Sequence, residues 1–270
     1  MRPGDTPRIF TNNLDIRREF ANLRAGDVFI GRLRLKATEE TLLVDLLDRG
    51  ILLFPSALSQ LLCRSKTMQA RVYAPEMLPH TVAVHDQHDM LETVNLYQRH
   101  NITRLVTKHD RKNAGMGIHL WRDVEEVFSH SSLGSLPFPF VIQPFVENSR
   151  DIRVVMLGDY RESYIRSNPH NFRNNLHCGG ESTPCQLTEQ QLTLCRQVME
   201  RGKFPYAHLD LMVLATGETY LAEINLRGGI RGARISPEEY LRQVDIIHRR
   251  YLSEKSGKST AFPEEKNSET

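Results

Sequence analysis

The 270-residue chain holds only four cysteines (Cys63, Cys178, Cys185 and Cys195), and no two of them form a CxxC pair. That argues against zinc and a thioredoxin-type redox motif, and it indicates no disulfide framework. The eleven histidines are scattered, with no HxxxH pair. GxxxxGK[ST] is absent, so a phosphate-binding loop here is not a Walker A loop. No apolar run approaches the roughly 18 residues that a membrane span needs. The opening Met1-Arg2-Pro3-Gly4-Asp5 leads into no signal-peptide h-region. Net charge is only +2, so no general attraction to polyanions is implied. No nucleic-acid or membrane partner is expected, and a soluble, cytoplasmic protein is.

What is present has an ordinary globular composition, 40% hydrophobic and 25% charged. No internal repeat is visible. Residues 28–30 read as a strand and 38–48 as a helix with Thr38 as N-cap and Gly50 as its stop. Residues 51–54 form a second strand closed by Pro55, and 56–73 one or two short helices. This is a small α/β unit with parallel strands. A second region has a strand at 81–84, a helix at 87–99, a strand at 103–108, a glycine-bearing loop at 109–117 and a strand at 118–121. Strands at 140–146, 151–157 and 160–166 follow, the last two joined tightly at Gly158-Asp159. Thr188-Glu189-Gln190-Gln191 and Ser236-Pro237-Glu238-Glu239 are capping boxes that open two further helices. Residues 253–270 are rich in Ser, Glu and Lys and read as a disordered tail. The class is α+β with a largely antiparallel central sheet.

The richest segment chemically is Asp210-Leu211-Met212-Val213-Leu214-Ala215-Thr216-Gly217-Glu218-Thr219-Tyr220-Leu221-Ala222-Glu223-Ile224-Asn225. Two β-type runs flank a Thr-Gly turn, the pattern of a hairpin. A turn centred near Thr216 and Gly217 sets Asp210 across from Glu223, and Asn225, two residues on, shares the face. Three oxygen donors on one patch suit Mg²⁺ or Mn²⁺ bound together with phosphates. A solvated hairpin face with scattered acids is the alternative.

Lys108 ends one strand, and a loop with Gly115 and Gly117 leads into the next. Glycines let backbone N–H groups approach phosphate oxygens, and the lysine adds charge. A plain hairpin loop is the alternative. In Phe140-Val141-Ile142-Gln143-Pro144-Phe145-Val146-Glu147, Pro144 cannot donate to a ladder, so backbone groups near it are free for a base edge. Asp151 and Arg153 share a strand face, which also fits a plain ion pair. Arg166 ends the next strand. The loop Phe172-Arg173-Asn174-Asn175-Leu176-His177-Cys178-Gly179-Gly180 combines cations, amides and a Gly-Gly step, suited to an anion or to ordering over a substrate; a surface loop is the alternative. No adjacent general base marks Cys178 as a nucleophile.

In this order the segments resemble the ATP-grasp superfamily, specifically its RimK-like carboxylate–amine ligases, over about residues 50–232. Asp151-Ile152-Arg153 followed by Phe172-Arg173-Asn174-Asn175-Leu176-His177 and Gly179-Gly180 is similar to the family's DIR … FR-x-NLH-x-GG pattern. Asp210 … Glu223-Ile224-Asn225 is similar to its metal-binding D … E-[VI]-N. Lys66 and Lys108 match its two phosphate-side lysines, and residues 143–146 its adenine-contacting hinge.

The resemblance implies an ATP-grasp fold, two α+β subdomains gripping ATP, preceded by a shortened α/β domain. The domains would be residues 1–78, a small lid subdomain 79–146, a metal-binding subdomain 147–252 and the tail 253–270. Lys66, Lys108, Gly115, Gly117, Gln143, Phe145, Val146, Asp151 and Arg153 would contact ATP. Asp210, Glu223 and Asn225 would hold one or two Mg²⁺ (or Mn²⁺) ions, two being expected. Arg166, Arg173 and Asn175 would be catalytic, with Arg166 the main electrostatic catalyst, and Arg227 and His177 would face the substrate. The implied reaction joins a carboxylate, glutamate or another amino acid, to the amine of a peptide, protein or small molecule through an acylphosphate, releasing ADP and phosphate.

Departures from the family pattern are Lys112 for a usual Gly, Pro144 for a commonly acidic hinge position, and Arg227, Arg231 and Arg234 after Asn225. The arginines point to an acidic substrate; a solvated basic loop is the alternative. Two other functions compete with the ligase: a nucleotide-binding regulator without turnover, and a phosphotransferase acting on a hydroxyl. The oligomeric state, homo-oligomer included, stays open.

Overall fold

The computed structural model describes residues 6–112, 115–174, 176 and 179–256. Among these residues the strands form three sheets. The first is parallel, β1 (Ile9–Phe10), β2 (Val28–Ile30) and β3 (Leu52–Phe54), in that order, flanked by α1 (Asn13–Arg18) and α2 (Thr41–Asp48). Thr38 is not the helix cap that the sequence suggested. It lies within a 3₁₀ turn, Ala37–Glu39, because the Glu39 carboxylate accepts the Lys36 N–H at 2.8 Å and caps the chain one turn earlier. Next come α3 (Ala57–Leu62) and α4 (Lys66–Val72).

The second sheet is antiparallel and ordered β4 (Val82–Val84), β7 (Phe140–Pro144), β5 (Leu105–His109), β6 (Ile118–Trp121). β7 stops at Pro144, which has no N–H to continue the ladder. Helices α5 (Gln87–Arg99) and α6 (Val124–Ser132) share a core with it through Met90, Tyr97, Val127, Phe140 and Ile142. Sequence reading missed α6, although its signal was present: Asp123 caps the Glu126 N–H at 2.9 Å.

The third sheet is antiparallel, ordered β10 (Glu181–Pro184), β9 (Tyr160–Ser167), β8 (Arg150–Leu157), β11 (Tyr206–Val213), β12 (Thr219–Asn225). Gly217 takes the φ of +93° that the β11–β12 turn requires. One face, with Ile152, Val154, Leu209 and Leu211, packs in a core with α7 (Glu189–Gly202), through Cys195 and Val198, and with Ala70 and Tyr73 at α4. The sheets fall within residues 1–78, 79–146 and 147–252. The domain boundaries remain a proposal, since Leu62, Ala70, Tyr73 and Met77 belong to the third sheet's core.

Two attachments hold the third sheet's rims. Gln69 of α4 treats Ile224 as a neighbouring strand would: its Nε2 donates to the Ile224 carbonyl at 2.9 Å and its Oε1 accepts the Ile224 N–H at 3.0 Å. Helix α8 (Pro237–Ser256) is fastened to β11 by two reciprocal pairs, Tyr206 Oη to His248 Nε2 at 3.1 Å and His208 Nε2 to Tyr240 Oη at 3.0 Å. Its far end reaches the first sheet, where Tyr251 stacks on Phe54 with 4.0 Å between ring centroids. Residues 253–256 are therefore helical where the sequence suggested a tail. Residues 257–270 lie outside the described residues.

Gln69→Ala would leave both backbone groups of Ile224 without a partner in a buried site, which costs about 2–4 kcal/mol measured by urea unfolding; a loss under about 1 kcal/mol would mean that water replaces the amide. Burial, with the nearby Arg153 charge, pushes the His208 imidazole down to about 4. A free histidine titrates near 6.5, so the folded state binds fewer protons than the unfolded state between these values. The stability contributed by neutral His208 is complete above pH 6.5 and falls by up to about 1.4 kcal/mol per pH unit toward pH 4. Unfolding curves of His208→Gln should have a flatter acid limb over that window than the parent.

Candidate functional site

Period-two alternation turns Asp210 and His208 to the face opposite Leu209 and Leu211. On either side of Asp210 lie Arg153 of β8 and Glu223 of β12, and Asp151, also of β8, lies opposite Arg166 of β9. The expected Asp210–Glu223 pairing is thus present, and the register then shifts between Asp210 and Leu211. Asn225 shares the Glu223 face.

Four of these side chains form a charge network, with Arg166 and Asp210 buried and Asp151 and Arg153 half-buried. Asp210 accepts from Arg153 Nε, and from Arg153 Nη2 at 3.0 Å. Arg166 donates to Asp151 at 2.8 and 2.9 Å, and its Nη2 is 3.0 Å from Asp210 Oδ2. Burial disfavours ionising either acid, but Arg153 and Arg166 together hold the Asp210 carboxyl far below the usual range. Asp151 goes the other way: burial and the Asp210 charge push it up, against the pull of Arg166. Beside the network, Lys66 Nζ lies 3.2 Å from Glu223 Oε1 and donates to the Lys112 carbonyl at 2.7 Å.

The second sheet faces this network across a cavity of about 410 Å³. Lys108 lines it and makes no hydrogen bond or ion pair among the described residues, and burial lowers its pKa. Gln143 also lines it. Its Nε2 donates to Thr81 Oγ1 at 3.1 Å, while its buried Oε1 has no partner. Phe145 meets Phe172 edge to face at 6.2 Å. The loop after β5 is anchored to α4, since Asp110 Oδ1 accepts from Ser65 Oγ at 3.0 Å and from the Thr67 N–H at 3.2 Å.

Most residues singled out from the sequence meet here: Lys66, Lys108, Gly115, Gln143, Phe145, Val146, Asp151, Arg153, Arg166, Arg173, Asp210, Glu223, Asn225 and Arg227 all line the cavity. Gly117 does not line it. A Cβ there would lie 2.6 Å from Lys112 Cβ, so close packing inside the loop is what it serves. Arg166 is a brace for two carboxylates rather than a free cation, and Arg153 is committed to Asp210. Arg173 donates to the Ile118 carbonyl of β6, tying the loop after β9 to the second sheet. Asn175, His177 and Cys178 lie outside the described residues. Sequence reading missed Arg32 and Cys63, which line the cavity, and Glu162, whose carboxylate accepts the Arg234 N–H at 2.6 Å and pins the loop after β12. For Glu162 a signal existed: it shares the strand period of Tyr164 and Arg166.

The donor chemistry fits a hard divalent cation: two carboxylates and an amide oxygen along one hairpin face. Among the described residues no group of three His, Cys, Asp or Glu side chains gathers to hold a metal. No helix among them is long and apolar enough to cross a membrane.

Residues 59–238 match the RimK-like ATP-grasp domain family, and the chain belongs to it. No curated protein matches the chain. Among solved structures, a D-alanine–D-alanine ligase from Bacillus anthracis complexed with ATP is similar at TM-score 0.61 and 17% identity, over 90% of this chain and 85% of that one. A D-cycloserine synthetase is similar at TM-score 0.60 and 14% identity, over 83% of each chain. A RiPP-associated ATP-grasp ligase from Chryseobacterium gregarium, in complex with ADP and a leader and core peptide, is similar at 0.57 and 15%, over 84% of this chain and 76% of that one. At these identities the likeness shows the ATP-grasp fold.

Removing one partner of a buried charge pair leaves the other unpaired, so Arg166→Ala should cost about 3–5 kcal/mol of stability without any ligand. Arg173→Ala, which loses a half-buried contact to one carbonyl, should cost about 1 kcal/mol. Urea unfolding of both variants checks this. Equal, small losses would mean that Arg166 does not brace the two carboxylates.

Proposed function

We propose that this member of the RimK-like ATP-grasp family is an ATP-dependent carboxylate–amine ligase that forms an amide bond and releases ADP and phosphate. The observation that carries the reading is the meeting, in one cavity, of the Asp210–Glu223–Asn225 oxygen face with the unpaired Lys108 and the orphaned Gln143 Oε1. A buried acceptor without a partner is costly, and the amino group of an adenine would satisfy it. Val146 and Phe145 would flank the base. Lys108 and Lys66 would meet the phosphates, and the Gly115 loop would lie over them. Asp210, Glu223 and Asn225 would hold Mg²⁺, which when bound neutralises charge on the phosphate oxygens.

In the proposed reaction a carboxylate oxygen of the substrate attacks the γ-phosphorus, and the bond to the β-phosphate oxygen breaks to release ADP. The amine nitrogen then attacks the acyl carbon, phosphate leaves, and the nitrogen gives up a proton. Lys108 faces the developing phosphoryl charge. Arg153 and Arg166 keep Asp210 ionised and fixed, so it is ready for a cation without reorganising.

One observation favours a second reading, a nucleotide-binding regulator without turnover. Asp210 and Glu223 are already neutralised by Arg153, Arg166 and Lys66. ADP release from Mg-ATP with a panel of amino acids and peptides separates the two. Release that requires both a carboxylate and an amine, and falls about 10²–10³-fold in Asp210→Ala, Glu223→Ala and Lys108→Ala, supports the ligase. Tight ATP binding with no release on any member of the panel supports the regulator.

A further inference from the structure

A second cavity of about 1090 Å³ adjoins the first. It is bounded by residues 31–36 of the amino-terminal unit, by α8 and by Leu226 and Arg227. Arg32 and Arg227 line both cavities, so the two meet at these residues.

Residues 32–36 form neither strand nor helix, yet side chains of the α3 region hold their backbone. Gln60 Oε1 accepts the Leu33 N–H at 2.9 Å, and Gln60 Nε2 donates to the Pro55 carbonyl at 2.8 Å. Arg64 donates to the Leu33 carbonyl and, at 3.2 Å, to the Leu35 carbonyl. The wall is thus fixed while the Arg32 side chain is uncommitted. The Arg32 carbonyl accepts from Asn13 Nδ2 at 3.1 Å, but neither the Arg32 nor the Arg227 guanidinium makes a hydrogen bond or ion pair among the described residues.

The acids that line the second cavity are already paired, Glu39 with Arg17 at 3.2 Å and Asp245 with Arg249 at 2.7 Å. Arg32, Arg34, Lys36 and Arg227 therefore leave it with uncompensated positive charge. A nucleotide triphosphate in the first cavity, beside Lys66 and Lys108, leaves the charge of Arg34 and Lys36, which line the second cavity alone, unaccounted for. Arg32 also comes from the part of the chain that precedes the family match at residues 59–238.

We infer that Arg32 determines specificity: with Arg227 it selects a carboxylate-rich substrate that arrives through the second cavity. This rests on the ligase reading for its chemistry, but not for its binding. The carboxylates could belong to a free acidic amino acid or to the acidic end of a peptide. Guanidinium groups grip carboxylates through paired, charge-assisted hydrogen bonds.

The test measures binding of fluorescein-labelled hexaglutamate, hexaserine and hexalysine to the full chain, with Mg²⁺ and a non-hydrolysable ATP analogue present. Calorimetry with free glutamate runs in parallel. Hexaglutamate or free glutamate should bind at least about tenfold tighter than the neutral or basic peptide, and salt should weaken it. Arg32→Ala and Arg227→Ala should each weaken it about tenfold, with Arg32→Lys between, while affinity for the ATP analogue stays within about twofold. Arg161→Ala, an exposed arginine lining neither cavity, should change nothing. Which probe binds names the source of the carboxylates. Equal binding of all probes, or an unchanged affinity in Arg32→Ala, overturns the inference. ADP release keeps the two claims apart. Selective, Arg32-dependent binding without turnover removes the ligase reading alone. Turnover with an unchanged KM in Arg32→Ala removes this inference alone.

Discussion

The structure depends on keeping four opposite charges together beneath the surface of an antiparallel sheet. Asp151, Arg153, Arg166 and Asp210 sit on three adjacent strands, and each acid has an arginine directly across from it. Burying one ion alone is costly, and the alternation of pairs is what makes burying all four tolerable. It also fixes chemistry. Two guanidinium groups hold Asp210 ionised, while burial and the neighbouring negative charge push the Asp151 carboxyl upward. The apolar residues on the reverse of the same strands complete the constraint. A slip of one residue would put charges into the core with α7 and leucines into the cavity.

Around that network, much of the positioning is done by side chains that bond to distant backbone. Gln69 closes the edge of β12 at Ile224, Asp110 ties the loop after β5 to the start of α4, Glu162 holds the loop after β12, and Arg64 with Gln60 holds residues 31–35. These contacts add to the apolar packing that joins Leu62, Ala70, Tyr73 and Val141 to the third sheet's core. They explain how a short amino-terminal unit can still border the site. Its wall needs no additional strands, because two side chains of the α3 region satisfy its backbone.

Legibility in the sequence followed range of interaction. Helix α5, the capping box of α7 and the strands on either side of Gly158 were readable because periodicity and capping act over a few residues. The Asp210–Glu223 pairing was readable because a short turn counts out the register. Thr38 misled because Glu39 offered a competing cap. Arg166 was identified as a site residue, but its commitment to Asp151 and Asp210 depends on strand order. Gly117 was grouped with Gly115, yet only Gly115 reaches the cavity.

By itself the sequence determined the α+β class, most elements, the family and the residue types that gather at the site. These follow from local periodicity, turn chemistry and spaced motifs, all carried by neighbours along the chain. Only the tertiary structure decided which cations are spent on carboxylates and which remain free. Among the described residues the Arg153, Arg166 and Lys66 side chains are committed, while those of Lys108, Arg32 and Arg227 are not. That division depends on which strands lie side by side and on how far each charge is withdrawn from water, and neither leaves a trace in residue spacing.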